Sequence, residues 1–182
     1  MVCGRREARG QEVVDGIVAE GGSASFHLMD LTDLSTVDAL FADTARDHGR
    51  IDILVNNAAG VGLKDGRVDE ISLEDWDAMF ASGVRGTFCA IKAVLPYMIE
   101  AGGGSIVNIG SMASISGDLG STAYACSKAG VDMLTSSVAL QYGKQNIRCN
   151  CVRPGLIVTP QNEAHVPQQL KDVFLSNIEV NR

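Results

Sequence analysis

A serine, a tyrosine and a lysine have the types and spacing that acid–base chemistry requires. Ser111 follows an apolar strand, and Tyr124 and Lys128 lie four residues apart in a helical segment. Residues at i and i+4 share one face of a helix, so a phenol and an ammonium group there approach a common point. A free phenol loses its proton only near pH 10, and a neighbouring cation favours its ionised form. The pattern predicts an acid or base that works near neutral pH, although the same spacing also occurs by chance on solvated helices.

The composition argues against several classes of protein. The 182 residues fit a single domain, 46% of them are hydrophobic, and the formal net charge is −7. Acidic chains are poor partners for nucleic acid and anionic membranes, and the sequence indicates neither a membrane-spanning run nor a signal peptide. The five cysteines have no framework spacing, and the three histidines lie far apart. We therefore expect reduced core thiols, a cytoplasmic protein and no metal site.

Short β-branched strands alternate with helical segments along the chain. The predicted strands are residues 1–4, 23–29, 51–55, 106–109 and 147–152, and the predicted helices are residues 5–20, 35–48 and 72–100 and one that carries Tyr124 to about Tyr142. Ser35-x-x-Asp38 and Ser72-x-x-Asp75 are capping-box signatures for two of these helices. The alternation predicts an α/β fold with a doubly wound parallel sheet that is covered by helices.

Several polar or glycine-containing segments come directly after predicted strands. They are Asp30, Asn56, Ser111 and Pro154-Gly155. In parallel sheets, ligands bind outside the carboxyl ends of the strands. Their shared position favours a functional role over chance, although Asp30 as a turn cap and Pro154-Gly155 as a strand terminator are open alternatives.

Four motifs occur in order along the chain. They are Asn56-Asn57-Ala58-Ala59-Gly60, Ser111 thirteen residues before Tyr124, Tyr124-x-x-x-Lys128, and Pro154-Gly155-x-Ile157-x-Thr159. Each is common by itself, but all four at this spacing are highly specific. From residue 1 to about Thr159 the chain resembles the short-chain dehydrogenase/reductase family, whose members are NAD(P)-dependent oxidoreductases on a Rossmann fold.

The resemblance implies catalytic roles for Ser111, Tyr124 and Lys128. Tyr124 would exchange a proton with the substrate oxygen. Lys128 would favour the ionised phenol and hold the ribose hydroxyls of the nicotinamide, and Ser111 would hydrogen-bond the substrate carbonyl or alcohol. Such roles suit hydride transfer, in which the cofactor carries the chemistry and the protein supplies position and a proton donor.

The resemblance also implies a set of cofactor-binding residues. Asp30 and Leu31 would contact adenine, Asn56 and Ala58 would border the adenosine ribose, and Ile157 and Thr159, after Pro154 and Gly155, would hold the carboxamide and pyrophosphate side. Gly4 stands where NAD-preferring members carry an acid, and Arg5 follows it. A guanidinium accommodates a 2′-phosphate, which favours NADP over NAD slightly. The alternative is that Arg5 is an exposed residue of the first helical turn.

The sequence departs from the family at its ends. It starts inside what matches the family's second strand, so the glycine loop that binds pyrophosphate is missing, and the match stops before the last strand. We therefore expect one partial NAD(P)-binding domain over residues 1–182, in which 160–182 begin a substrate-loop segment. Residues 23–29 and 51–55 should leave a gap or fail to pair, and the isolated chain should be poorly stable and bind cofactor weakly.

A further departure lies in the long predicted helix. Gly83 stands where the family usually has an asparagine that helps to hold a water molecule in a proton relay. A glycine in the middle of a helix costs about 1 kcal/mol relative to alanine and has no side chain for that role. We expect slow turnover, and we expect that the substitution Gly83→Asn raises the rate if the relay matters.

Two hypotheses of different class follow. The first is an NAD(P)(H)-dependent oxidoreductase that interconverts a small-molecule carbonyl and an alcohol, with Ser111, Tyr124 and Lys128 at its centre. The second is an inactive remnant that binds nucleotide weakly or serves as an oligomerising module. By the resemblance, the two long helices pair in a homodimer or homotetramer, which fits either hypothesis.

Overall fold

The computed structural model of the protein describes residues 1–58, 64–116 and 120–157. Within these residues, parallel strands alternate with helices, as the sequence predicts. The strands are β1 (Val2–Gly4), β2 (Phe26–Leu28), β3 (Ile53–Asn56), β4 (Gly104–Ile109) and β5 (Ile147–Val152). The helices are α1 (Glu7–Ala19), α2 (Leu34–His48), α3 (Leu73–Phe80), α4 (Gly86–Glu100), α5 (Ala113–Ser116) and α6 (Thr122–Tyr142).

Local capping explains where two helices begin. Ser72 caps α3, since its hydroxyl accepts a hydrogen bond from the backbone N–H of Asp75 at 3.0 Å, as the capping signature predicts. The N-cap predicted for α2 was wrong by two residues. Asp33, not Ser35, is the N-cap, and its carboxylate accepts from both the backbone N–H and the hydroxyl of Ser35. Gly49, with φ of 77°, ends α2 in the left-handed conformation that glycine adopts without strain.

The long helix predicted over residues 72–100 is interrupted. A π-helical segment, Ala81–Arg85, separates α3 from α4. Inside it, Gly83 has φ of −87° and ψ of −107°, which lie outside the helical region. The expectation that Gly83 occupies a regular helix interior is therefore wrong. π-Helical bulges insert an extra residue per turn and often accompany functional sites.

The strands form two separate parallel sheets. One consists of β1 and β2, with Val2 opposite Phe26, and the other has the order β3-β4-β5, with Asn56 opposite Asn108. Within the described residues no ladder joins the two sheets. Residues 23–29 and 51–55 do not pair with each other, but the prediction that these two segments flank the vacant position was wrong, because β2 pairs with β1 and β3 pairs with β4.

Two adjoining cavities of about 400 Å³ each lie between the sheets. Cys3 of β1 and Leu54 and Val55 of β3 line both of them, and Phe41 of α2 contributes to both. Adjacent strands in a sheet lie about 4.8 Å apart, so a cavity between strand edges marks a position where backbone groups lack a neighbouring strand. The edges of β1 and β3 thus face a gap between the two sheets.

The hydrophobic core lies between the three-stranded sheet and helices α2 and α4. Val94 and Met98 of α4 and Ile106 of β4 are fully buried, and Val37 of α2 is 1% exposed. Truncation of such a side chain to alanine costs about 2–5 kcal/mol. The core therefore fixes the end of β4, which leads directly to Ser111.

The helical run Leu73–Glu100 meets the length and composition criteria for a membrane span. It has 28 residues, and the mean hydropathy of its most apolar window is 1.3. The expectation that no run reaches such a length was wrong by these criteria. However, 39% of that window is buried inside the protein, and Val94 and Met98 pack in the core. Packing of Val94 and Met98 in the core accounts for part of the apolar character, and the criteria for a span rest on length and composition alone.

The cysteines are less uniformly buried than the sequence suggests. All five are free thiols, of which Cys149 is buried, whereas Cys3 and Cys126 are exposed. Burial raises the pKa of the Cys149 thiol to about 11. Cys149 is a core thiol, as the sequence predicts, whereas the prediction is wrong for Cys3 and Cys126.

Candidate active site

Tyr124 and Lys128 lie on one face of α6. The Nζ atom of Lys128 is 5.7 Å from the centroid of the Tyr124 ring. The i, i+4 spacing thus places the ammonium beside the phenol ring, as predicted from the sequence.

Lys128 is anchored at the end of β4. It is only 7% exposed, and its ammonium donates a hydrogen bond to the carbonyl oxygen of Ile109 at 2.5 Å. Burial lowers the pKa of Lys128, and electrostatic interactions with Cys151 and Asp132 only partly oppose this effect. The contact ties the catalytic candidate on α6 to the strand that ends two residues before Ser111.

Ser111 lies in a short connection between β4 and α5. Its hydroxyl oxygen accepts a hydrogen bond from the backbone N–H of Ala113 at 3.2 Å. The next residue, Met112, donates its N–H to the carbonyl oxygen of Pro154 at 3.1 Å. The Ser111 segment and the Pro154-Gly155 segment therefore meet at the carboxyl ends of β4 and β5, as the position of both motifs predicts.

A partly buried polar cluster around Asp132 supports the Ser111 segment. The carboxylate accepts hydrogen bonds from the Ser114 hydroxyl, the Cys151 thiol at 3.1 Å and the Arg153 guanidinium at 2.9 Å. Burial acts to raise the pKa of Asp132, but these three hydrogen bonds outweigh it and hold the pKa below its usual value. The same hydroxyl lies 2.7 Å from the carbonyl oxygen of Ser111, so its one proton bonds either to that oxygen or to the Asp132 carboxylate, and Ser114 links Asp132 to the Ser111 segment. The sequence analysis missed Asp132, since an acid on a helix usually faces solvent.

The predicted cofactor residues divide into two groups. One of the two cavities, and not the other, is lined by Arg5, Asp30, Leu31, Asn56 and Ala58. Within the described chain, the residues on the wall of that cavity do not include Ser111, Tyr124, Lys128, Pro154, Gly155 or Ile157. Thr159 lies outside the described residues. The structure therefore gathers the adenosine-side candidates in one place and the catalytic candidates in another.

Asp30 both lines the cavity, as a cofactor-binding residue would, and caps a turn, which was the alternative interpretation. It lines the cavity, and its Oδ1 atom accepts hydrogen bonds from both the N–H and the hydroxyl of Thr32, at 2.9 and 2.8 Å. These bonds, from the backbone first, lower the pKa of Asp30. The turn after β2 is thus built around an ionised carboxylate.

Asn56 is held by a hydrogen-bonded chain of buried side chains. Its amide donates to Oδ1 of Asn108 at 2.8 Å, and the Asn108 amide donates to the Thr135 hydroxyl at 2.8 Å. Asn108 is fully buried, so each of these polar groups needs a partner. The network joins β3, β4 and α6 and fixes the end of β3. Asn108 was missed, although a polar residue inside the apolar run Ile106–Ile109 is a usable signal.

Gly83 and Ser127 form a close contact between the π-helical segment and α6. The buried Ser127 hydroxyl oxygen accepts a hydrogen bond from the backbone N–H of Val84 at 3.0 Å. A β-carbon on Gly83 would lie 2.1 Å from that oxygen. The serine hydroxyl therefore occupies the space into which a side chain at position 83 would extend, a role that the sequence did not suggest.

The described residues fit the nucleoside end of a dinucleotide. The cavity wall combines Arg5, the Asp30 carboxylate and the polar end of β3, and a β-carbon on Gly4 would meet no atom within 4 Å. The helix after β1 does not present the features of a pyrophosphate site. Its N-cap is Arg6 without a side-chain cap, and Glu7 stands in its first turn, where a negative charge disfavours phosphate.

The chain is similar to proteins of known type. The family model described as "short chain dehydrogenase" matches residues 1–170. A 7alpha-hydroxysteroid dehydrogenase from Clostridium sardiniense is 35% identical over 182 residues, which cover 100% of this chain and 70% of that protein. A short-chain type dehydrogenase/reductase from Bradyrhizobium diazoefficiens is 46% identical over 131 residues, which cover 71% of this chain and 47% of that protein.

The fold is similar to that of solved structures. A gluconate 5-dehydrogenase from Burkholderia cenocepacia, in complex with NADP and tartrate, matches with a TM-score of 0.88 at 28% identity. The match covers 96% of this chain and 68% of that one. The chain thus spans between about half and seven tenths of these relatives.

Proposed function

The chain belongs to the short-chain dehydrogenase family, and from that premise we propose that it is an NAD(P)(H)-dependent oxidoreductase that interconverts a carbonyl and an alcohol. Its fold is the Rossmann-like α/β fold of that family. We propose further that residues 1–182 are one partial NAD(P)-binding domain, with residues 160–182 starting a segment beside the substrate. The observation that carries the proposal is the Lys128 ammonium beside the Tyr124 ring and fixed to the end of β4.

Tyr124 acts as the acid or base in this proposal. During reduction of a carbonyl, its phenol gives a proton to the substrate oxygen, and during oxidation of an alcohol it takes that proton back. Lys128 stands beside the ring and supplies positive charge. The nicotinamide supplies or accepts the hydride when it is bound.

Ser111 orients the substrate by a hydrogen bond from its hydroxyl to the reacting oxygen. Two features support this role. The Ser114 hydroxyl lies within hydrogen-bonding distance of both the Ser111 carbonyl oxygen and the Asp132 carboxylate. The backbone N–H of Met112 donates to the carbonyl oxygen of Pro154. A hydroxyl on a fixed backbone positions a reacting group with little loss of entropy on binding.

Arg5, Asp30, Leu31, Asn56 and Ala58 are proposed to hold the adenosine end, with Pro154, Gly155, Ile157 and Thr159 near the nicotinamide. NADP(H) is slightly favoured over NAD(H), because Arg5 lines the cavity and position 4, where an acid would repel a 2′-phosphate, is a glycine with open space beside it. The substrate is a small-molecule carbonyl or alcohol. The relatives named above act on substrates as different as a hydroxysteroid and gluconate, so the substrate class stays open between them.

A cytoplasmic location and a homodimer or homotetramer complete the proposal. Exposed apolar side chains on α4 and α6 support self-association, with Phe88 48%, Met133 67% and Leu140 87% exposed. We propose no role in nucleic-acid or membrane binding, since the net charge is −7.

The second candidate is an inactive remnant that binds nucleotide weakly or only oligomerises. The gap between β1 and β3 favours it, since the cavity there reaches the adenosine-side residues but not the catalytic ones. The two candidates differ in one measurable property, which is turnover.

Oxidation of NADPH and NADH, followed by absorbance with a panel of ketones and aldehydes, tests the proposal. We expect turnover with the wild-type chain and a loss of at least about a hundredfold in Tyr124→Phe. Tyr142→Phe, at the other end of α6, is the matched control and should retain activity. Equal rates in wild type and Tyr124→Phe would contradict the assignment of Tyr124, and absence of turnover with binding of NADPH intact would favour the remnant.

A further inference from the structure

The first turn of α6 is capped from a distant loop. Ser121 is the N-cap residue and makes no side-chain capping hydrogen bond. Instead, the Asp65 carboxylate accepts from the backbone N–H groups of Ala123 at 3.1 Å and of Tyr124 at 2.8 Å, one on each oxygen. The first amides of a helix have no partner within the helix, so Asp65 satisfies groups that would otherwise be left unbonded.

The loop that carries Asp65 is itself attached to the helix. The backbone N–H of Gly66 donates to Oδ1 of Asp65 at 2.8 Å, and the Gly66 carbonyl oxygen accepts from the N–H of Thr122 at 3.3 Å. Three consecutive amides of α6, those of residues 122–124, thus bond to two residues that lie more than fifty positions earlier in the chain. The carboxylate also lies at the positive end of the helix dipole, which strengthens the contact.

We propose that Asp65 is a positioning residue for Tyr124, an inference that rests on the proposed function. The Asp65 carboxylate bonds the backbone N–H of the residue whose phenol exchanges the proton. Tyr124 is only the third residue of α6, in the part of a helix that frays most readily. Loss of the cap therefore displaces the phenol, and small displacements of a reacting group cause large losses of rate.

The long-range nature of the cap distinguishes it from an ordinary one. A capping bond to the Ser121 hydroxyl would satisfy one of the two amides, and it would leave α6 unconnected to the loop after β3. Through Asp65, the helix that carries Tyr124 is joined to the chain segment that follows Asn56 and Ala58, the proposed nucleotide side. Asp65 thus fixes the start of α6, and with it the backbone of Tyr124, to the segment that begins at residue 64.

Amide hydrogen exchange tests the anchor without any need for activity. In Asp65→Ala, the amides of Ala123 and Tyr124 should exchange about tenfold faster than in wild type, because both lose their acceptor. Asp65→Asn keeps one carbonyl oxygen and should give a smaller increase. Asp69→Ala, in the same loop but with an exposed carboxylate paired with Arg67, is the control and should leave both rates unchanged. Wild-type exchange rates at Ala123 and Tyr124 in Asp65→Ala would overturn the proposal.

Steady-state kinetics separate positioning from a purely structural cap. We expect kcat to fall about tenfold in Asp65→Ala, with KM for NADPH within twofold of wild type and partial recovery of kcat in Asp65→Asn. Faster exchange with an unchanged kcat would overturn the positioning role. If the wild-type chain reduces no carbonyl, the proposed function fails, and the exchange measurement alone decides whether Asp65 holds Tyr124.

Discussion

The hydroxyl oxygen of Ser127 lies 2.1 Å from the point that a β-carbon on Gly83 would occupy. The same oxygen accepts the N–H of Val84, a backbone group of the π-helical segment. The glycine and the serine are therefore complementary, since the absence of a side chain at one position makes room for the hydroxyl at the other. This relationship revises the expectation that an asparagine at position 83 would simply add a missing function.

Gly83→Asn alone should destabilise the protein rather than accelerate it. The new side chain must displace the Ser127 hydroxyl, which leaves the Val84 N–H without its acceptor, and overpacking of this kind costs about 1–3 kcal/mol. Chemical denaturation should show this loss in the free energy of unfolding. The double variant Gly83→Asn with Ser127→Gly removes the clash and is the proper test of the water relay. A single variant as stable as wild type would contradict the clash.

The pH dependence of stability should reveal the buried ammonium of Lys128. Its folded-state pKa is lowered by burial, so between that value and the ordinary 10.5 the unfolded chain binds more protons than the folded one. Stability therefore rises with pH through this window. Relative to Lys128→Met, the wild-type free energy of unfolding should increase from pH 7 towards pH 10, as urea titrations at several pH values can show. A difference that does not change with pH would mean that Lys128 is not desolvated.

Asp132 should contribute stability that disappears in acid. Its folded-state pKa is below the ordinary 3.8, so the contribution is fully present above that value and is lost as pH falls through the folded pKa. Asp132→Asn should cost about 1–3 kcal/mol at pH 7, and the loss should shrink as the pH falls below 3.8. Thermal unfolding at pH 7 and in acid checks this, with Asp38→Asn on the exposed side of α2 as the control. An equal loss at pH 7 and in acid would assign the effect to packing.

The sequence predicted the elements better than the contacts between them. Alternation of apolar strands and helices was enough to place β5 and the end of α6 at the residues observed. The i, i+4 rule placed Lys128 beside Tyr124, because it depends only on the geometry of one helix. Asp65 could not be recognised, since its partner lies 59 residues away and only the fold brings the two together. Long-range polar contacts leave no periodic signal in a single sequence.

The cofactor preference should depend on the residue after β1. Gly4→Asp places a carboxylate where a β-carbon meets no atom within 4 Å, so the substitution is sterically accepted. The acid should bind the ribose hydroxyls of NADH and repel the 2′-phosphate of NADPH. We expect the ratio of kcat/KM for NADPH over NADH to fall at least about tenfold, or the ratio of binding constants if turnover is absent. Gly16→Asp in the exposed part of α1 serves as the control, and an unchanged ratio in Gly4→Asp would place the 2′-position elsewhere.

Hydrogen exchange should show that the two sheets differ in stability. The β1–β2 sheet has two strands of three residues, whereas β4 is paired on both sides and carries the fully buried Ile106. Two-stranded sheets are marginal by themselves, and local opening is easiest where few apolar contacts must break. The amides of residues 2–4 and 26–28 should therefore exchange at least about tenfold faster than those of 106–109. Equal protection of both sheets would mean that α2 and α4 couple them into one cooperative unit across the gap.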